Sequence, residues 1–406
     1  MNGNPNEGRS GKLIIIGLFA AAILGVFAFL LLRGGDDDDA EKDPVASAAP
    51  SAAPDPAVGP KTEIHFMYST EKKEWIERAV ADFQKANPNI AVKLEGKGSI
   101  EAIQAIADGK AKPTMLSPAD DVALNLLRED WKQKHNSDLI AESGEDKPEP
   151  LVLTPLVFVA WEDRGKALEG DKGGGVDWAK LHEVLGSTKG WPAVGGKADW
   201  GFVKLGHTNP TKSNSGLQAL ILMAYAFHKK QSNLVVGDVL DTKFQDFVKT
   251  IEKGVPKFGD STGSFMQDMV LYGPSKYDLV IVYENLAIQH IPNAQGRWGN
   301  LRIYYPPHTM WSSHPVAVFQ SDWVTAEQRQ AARKLVQFLR GSDQQKRALQ
   351  FGFRPADPSV PMKGGDTPFE KAKAFGVRFD IPSVVEPPPA PVIQNLMEMW
   401  SRLIGR

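Results

Sequence analysis

The sequence predicts an α/β protein of two lobes, each a mainly parallel sheet flanked by helices, preceded by a transmembrane helix and a solvated linker. Three observations carry that expectation. Strand-like and helix-like runs alternate with short links from residue 62 onward, the pattern of parallel strands joined by crossover helices. A second αβ unit interrupts the first between residues 156 and 321. Residues 13–32 form an unbroken apolar run, followed by an Ala, Pro and Asp-rich stretch.

The apolar run LIIIGLFAAAILGVFAFLLL is long enough to cross about 30 Å of hydrocarbon as a helix. Arg9 and Lys12 precede it and Asp36 to Asp39 follow, so the positive-inside bias places residues 1–12 in the cytoplasm and the remainder outside. A cleaved signal peptide is the alternative, but its apolar core usually spans only about 7 to 15 residues. Residues 33–61, DDDDAEKDPVASAAPSAAPDPAVGP with its flanks, cannot pack a core and read as an extended tether. The expected location is the inner membrane, with the body in the periplasm.

Composition narrows the classes. The 406 residues are 42% hydrophobic, sufficient for substantial cores. Net charge is −2 with no basic stripe, which argues against nucleic acid as a partner. With no cysteine, disulfides, thiolate catalysis and a lipidated anchor are excluded.

TEIHFMYS reads as the first strand, and EKKEWIERAVADFQKAN as a helix with Trp75, Ile76, Ala79, Val80 and Phe83 on one face. IAVKLEG, then SIEAIQAIADGK, then PTMLS, then PADDVALNLLREDWKQ continue the alternation. Ligands of such sheets sit beyond the carboxyl ends of the strands. Those ends carry Ser69 and Thr70, then Ser99, then Ser117. Each also reads as a helix N-cap, but the three sites share one sheet edge.

The second unit holds the strands LTPLVFVAWED and YDLVIVYE, and between them HTNPTKSNSGLQALILMAYAFH. There Thr208, Asn209, Thr211, Ser213, Asn214, Ser215 and Gly216 lead into an apolar helix, more polar groups than one cap needs. A helix start leaves about four amides unpaired and favours a polar ligand. Two readings stand: a neutral cradle in which Gly216 admits close approach, or an elaborate cap. LRIYYPPHTMWSSHPVAVFQ adds two strand-like runs, and TAEQRQAARKLVQFLRGSDQQKRALQFGFRP two helices.

No enzyme constellation is found. His207, His290, His308 and His314 lack zinc-site spacing, and GxSxG, GxxxxGK[ST] and GxGxxG are missing. Asp120 with Asp121, and Glu162 with Asp163, read as helix-start acids. Neither a cofactor nor a metal is expected.

In order and spacing, FMYST, FQKANPNIAVKLEGKGS, LSPADD, TPLVFVAW, TNPTKSNSGLQAL, DLVIVYENLA, LRIYYP, HPVAVF and VQFLRGSDQQKRALQFGFRP resemble the type II extracytoplasmic solute-binding proteins of ABC transporters. The layout is most similar to the molybdate- and sulfate-binding members. The resemblance implies the periplasmic-binding-protein type II fold, with lobe 1 at 62–155 plus 322–385 and lobe 2 at 156–321. It implies a small polar or anionic solute held by Ser69, Thr70 and Ser99 from lobe 1 and by Ser213, Asn214 and Ser215 from lobe 2, for delivery to an ABC permease. Glu284 stands where the wider class often places a cleft-facing residue, and its carboxylate disfavours a bare dianion. Residues 386–406, a proline run and an amphipathic helix, resemble the linker that precedes a von Willebrand factor type A module in some chains. That implies a second role, a sensory scaffold of the same fold acting through such a protein.

Overall fold

The computed structural model describes residues 61–170, 175–381 and 383–405. The expected membrane helix and nearly all of the linker lie outside them. Among the described residues no helix is long and apolar enough to cross a membrane.

Two sheets carry the fold. The first has the order β2-β1-β3-β10-β4. It comprises β1 (Thr62–Ser69), β2 (Ile90–Lys97), β3 (Met115–Ser117), β10 (Pro315–Val318) and β4 (Glu149–Pro150). β1 runs parallel to β2 and β3, as the alternation with helices requires, while β10 is antiparallel to β3 and β4. Ile64, Phe66 and Tyr68 pack with Trp75, Ile76, Val80 and Phe83 of the helix Lys73–Ala86, so the expected apolar stripe is the one buried.

The second sheet is centred on β5 (Val152–Trp161). Its partners β7 (Leu279–Tyr283), β8 (Leu301–Tyr304), β9 (Trp311–Ser312) and β11 (Arg354–Pro355) are all antiparallel to it, and only β6 (Leu205–Gly206) lies parallel, against β7. This corrects the expectation of a mainly parallel second lobe; both sheets are mixed. The reason is that β5 and β7 are buried, near-continuous apolar runs, and such runs look alike in parallel and antiparallel settings.

The chain passes between the sheets at three places. Leu151 links β4 to β5, Ser313 and His314 link β9 to β10, and Phe353 leads into β11. The first two are tied together, since the Leu151 amide donates to the His314 carbonyl at 3.2 Å. The return to the first sheet therefore comes at Pro315 rather than at residue 322. Beyond β11, residues 356–385 pack on the second sheet: the Arg378 amide donates to the Tyr305 hydroxyl, and Thr309 bridges Val384. The C-terminal helix Ala390–Leu403 buries Val392, Ile393, Leu396, Met399 and Trp400. Its Trp400 indole donates to Glu252 at 2.9 Å.

Arg354 fastens the third crossing. It is 3% exposed and holds both oxygens of Glu284, at 2.7 and 2.8 Å, while donating to the Phe379 carbonyl at 2.6 Å. Removing it would strand a buried carboxylate. Arg354→Ala is expected to cost about 3 to 5 kcal/mol in urea unfolding; a loss below about 1 kcal/mol would show that Glu284 finds another partner.

Candidate functional site

The two sheets face each other with their strand ends and helix starts, and the residues at that seam are buried and polar. From the first sheet come Ser69, Glu71, Lys72, Ser117 and Asp120; from the second come Ser213, Asn214, Ser215, Gln218, Thr262 and Tyr283; Ser312 and His314 stand at the crossing. Each is 6% exposed or less.

The first-lobe half is built on the turn after β1. Lys72 is fully buried, and its ammonium donates to the Ser69 hydroxyl, to the Pro118 carbonyl at 3.1 Å and to His314 Nδ1 at 3.0 Å. A lysine has three N–H donors, so all three are consumed inside this half. Glu71 lies 3.7 Å from Lys72 and compensates its charge. Burial alone would push the Glu71 carboxyl up, but the Lys72 charge beside it, with the bond donated by the Ser69 hydroxyl, holds it at about 2. Burial lowers Lys72 to about 8 and, helped by Lys72, His314 to about 4, which keeps the ring neutral and lets Nδ1 accept. His314 has φ of 44°, a backbone region that costs about 1 kcal/mol or more for a residue with a Cβ.

The second-lobe half is the start of the helix Asn214–His228. Ser213 makes no side-chain cap hydrogen bond. Its hydroxyl lies 3.2 Å from Thr262, while Ser215 lies 2.6 Å from Thr262 and 2.7 Å from Thr208. The surplus of hydroxyls thus forms a buried cluster, with Asn214 beside it.

Asp120 joins the halves. It caps the helix Asp121–His135 through Oδ1, accepting from the Ala123 amide at 3.2 Å. Its Oδ2 accepts from Asn214 at 2.8 Å and from Gln218 at 2.7 Å, both across the seam. Asn214 also donates to the Tyr283 hydroxyl at 3.1 Å and Gln218 to Ser312 at 3.0 Å. No arginine or lysine hydrogen-bonds Asp120 among the described residues, and burial pushes its carboxyl up to about 6 despite the donated bonds. Further ties lie at the edges: the Glu101 amide donates to the Lys212 carbonyl at 3.2 Å, and Ser313 to Asp121 at 2.6 Å.

The expected site residues divide accordingly. Ser69 and Ser117 lie on the first-lobe side of the seam, Ser213 and Ser215 on the second, and Asn214 bonds across it. Ser99 stays within the first lobe, accepting from the Ala119 amide at 3.0 Å. Thr70 stands at the mouth, lining a cavity of about 250 Å³ with Glu71, Ser261, Gly263 and Ser264. Thr211 turns away, its amide and hydroxyl both donating to Asn209. At Gly216 a Cβ would meet the Thr208 carbonyl oxygen at 2.3 Å, so the close approach belongs to the chain's own loop. Glu284 is held by Arg354 and Tyr305, away from the seam. Sequence reasoning took Asp120 for a helix-start acid, weighed His314 only against zinc-site spacing, and passed over Lys72, Gln218 and Thr262. Gln218 had a signal, being four residues after Asn214 on one helix face; Lys72 and His314 had none. Among the described residues no group of three or more His, Asp or Glu is placed to hold a metal ion.

Two measurements follow. Gly216→Ala should lower stability by about 2 to 3 kcal/mol, because backbone rather than a movable side chain blocks the Cβ; an unchanged thermal midpoint would contradict that packing. A carboxyl raised in the folded state holds its proton to higher pH than the unfolded chain does, so Asp120 withdraws stability as pH rises from about 4 to 6. Asp120→Asn lacks this titration. Its stability relative to the parent should grow between pH 4 and pH 7 by on the order of 2 kcal/mol, and a flat difference would show that the carboxylate is not desolvated.

Comparison with known proteins agrees with this architecture. Residues 64–354 match the family model described as bacterial extracellular solute-binding protein. A search of curated proteins finds no match. Among solved structures, the ferric binding protein from Campylobacter jejuni superposes with a TM-score of 0.56 at 11% identity, covering 84% of this chain and 99% of that one. The sulfate-binding protein SubI from Mycobacterium tuberculosis gives 0.52 at 16% identity, over 82% and 96%. The periplasmic binding protein AfuA from Actinobacillus pleuropneumoniae, with fructose-6-phosphate bound, gives 0.53 at 12% identity, over 85% and 99%. At these identities the structures share the fold, and the family match covers most of the chain. The chain belongs to the bacterial extracellular solute-binding proteins.

Proposed function

We propose that this protein is a membrane-tethered receptor that captures a small polar solute between its lobes and passes it to an ABC permease. The apolar run at 13–32 serves as the anchor and residues 33–61 as the tether, leaving the body in the periplasm. One observation carries the reading: polar side chains from both lobes converge on one buried seam, joined through Asp120. A seam of this kind gives up water-exposed polar groups only if something pairs them, and a solute can take over those pairings. The lobes would separate about Leu151 and Ser313–His314, the two bonded crossings, with a few residues absorbing the rotation.

The neighbours whose printed names include sulfate or a sugar phosphate do not set this ligand. Lys72 is internally satisfied and Asp120 adds a negative charge, so a bare dianion finds a poor reception. The second reading is a scaffold that acts through a protein partner such as a von Willebrand factor type A protein. Its support is that the chain's own bonds from Asp120 to Asn214 and Gln218 already join the lobes.

The readings separate experimentally. Native mass spectrometry of the full-length chain released from membranes should find a carried small molecule, and its removal should change the small-angle scattering profile. A ligand-free spectrum with a profile that no solute changes would leave the scaffold. After an alkaline wash the chain should stay in the membrane fraction; release to the supernatant, with a mature N-terminus near Ala46 or Ala52, would replace the anchor with a cleaved signal.

A further inference from the structure

The side chains that hold Asp120 are unbalanced in one direction. The amide nitrogens of Asn214 and Gln218 each donate twice and the Lys72 ammonium has three acceptors, while the unpartnered ring nitrogen of the seam, His314 Nε2, lies on the Lys72 side. The amide oxygens are not spent. Asn214 Oδ1, Gln218 Oε1 and Asn285 Oδ1 have no hydrogen-bond partner among the described residues, although each residue is 2% exposed or less. A buried polar atom without a partner costs about 1 to 3 kcal/mol, and two of these lie on the amides that hold Asp120. Because each amide bears its oxygen and nitrogen on one carbon, both orphan oxygens sit within a side chain's width of the Asp120 carboxylate.

Among the described residues no lysine or arginine hydrogen-bonds that carboxylate, whereas Glu71 has Lys72 beside it. One buried carboxylate with two amide oxygens on the side chains that hold it suits a group that brings three N–H donors and one positive charge. We infer that the solute carries a protonated primary amine, and that Asp120, with Asn214 Oδ1 and Gln218 Oε1, is the residue set that selects it. This rests on the solute-binding reading above and names the class of its ligand. In the closed protein without an amine, Asp120 turns to the amide nitrogens of the opposite lobe. With an amine seated, the two amides rotate to present oxygen, and the ammonium replaces them as the charge's partner. Tyr283, fully buried, stands beside the same amide, its hydroxyl accepting from Asn214.

The test uses the full-length chain in detergent, stripped of any carried molecule by partial unfolding and refolding. Ethanolamine and putrescine are the amine probes; choline, a cation without N–H donors, glucose and sulfate are the controls. Calorimetry should give saturable binding for at least one amine and none for choline or sulfate. Asp120→Asn should weaken that amine at least tenfold without lowering the midpoint of the free protein, and Gln218→Leu, which leaves the Asp120 cap in place, should weaken it severalfold. If glucose, choline or sulfate binds and compacts the protein while both amines fail, the amine inference is overturned and the solute-binding reading stands. Undiminished amine affinity in Asp120→Asn would equally overturn it. If no probe and no carried molecule binds, both fall together.

Discussion

The fold of this protein turns on one buried carboxylate. Asp120 finishes a helix of the first lobe and accepts two amide bonds from a helix of the second, so the same oxygen pair caps locally and links globally. A desolvated charge is tolerated only when hydrogen bonds replace its water. Here three donors do so, and no lysine or arginine among the described residues completes the set. The seam is therefore a place where stability has been left on the side of exchange: a group able to neutralise Asp120 gains more than one that merely fills space.

The surrounding architecture keeps that exchange confined. The Lys72, Glu71 and His314 cluster locks the first half internally, while the hydroxyls of Thr208, Ser213, Ser215 and Thr262 lock the second. Each half can then move as a unit. The crossings at Leu151 and Ser313–His314 are short and mutually bonded, and His314 holds an uncommon backbone angle at the point where the chain turns back. Arg354 fixes the third crossing through Glu284, so the freedom left to the lobes is rotation about a narrow line rather than loosening of either core.

Much of the fold was legible in the sequence. The helices at 73–86 and 326–340 carry strong apolar stripes, and the strands between them follow from alternation. Strand direction in the second lobe was not, because β5 is apolar on both faces and its burial carries no directional mark. The site was legible by position only. Strand ends and a polar helix start led to Ser69, Ser117, Ser213, Asn214 and Ser215, but Glu284, equally well placed by that rule, serves Arg354, which lies 70 residues away in sequence. Asp120 shows the limit most clearly. An acid at a helix start reads as a cap, it is a cap, and nothing local reveals that its second oxygen crosses to the other lobe. Such a role depends on how two lobes meet, and single-segment patterns do not encode it.

The central claim is that Asp120 holds the lobes together. The chain has no cysteine, so paired spin labels can be placed at Gln104→Cys and Lys257→Cys, one exposed position on each lobe, and the distance between them measured by pulsed electron resonance. The account predicts a single narrow distance in the parent protein and a longer, broader distribution when Asp120→Ala is added. An unchanged narrow distance in Asp120→Ala would contradict it, and would move the cohesion of the lobes to the contacts at their edges.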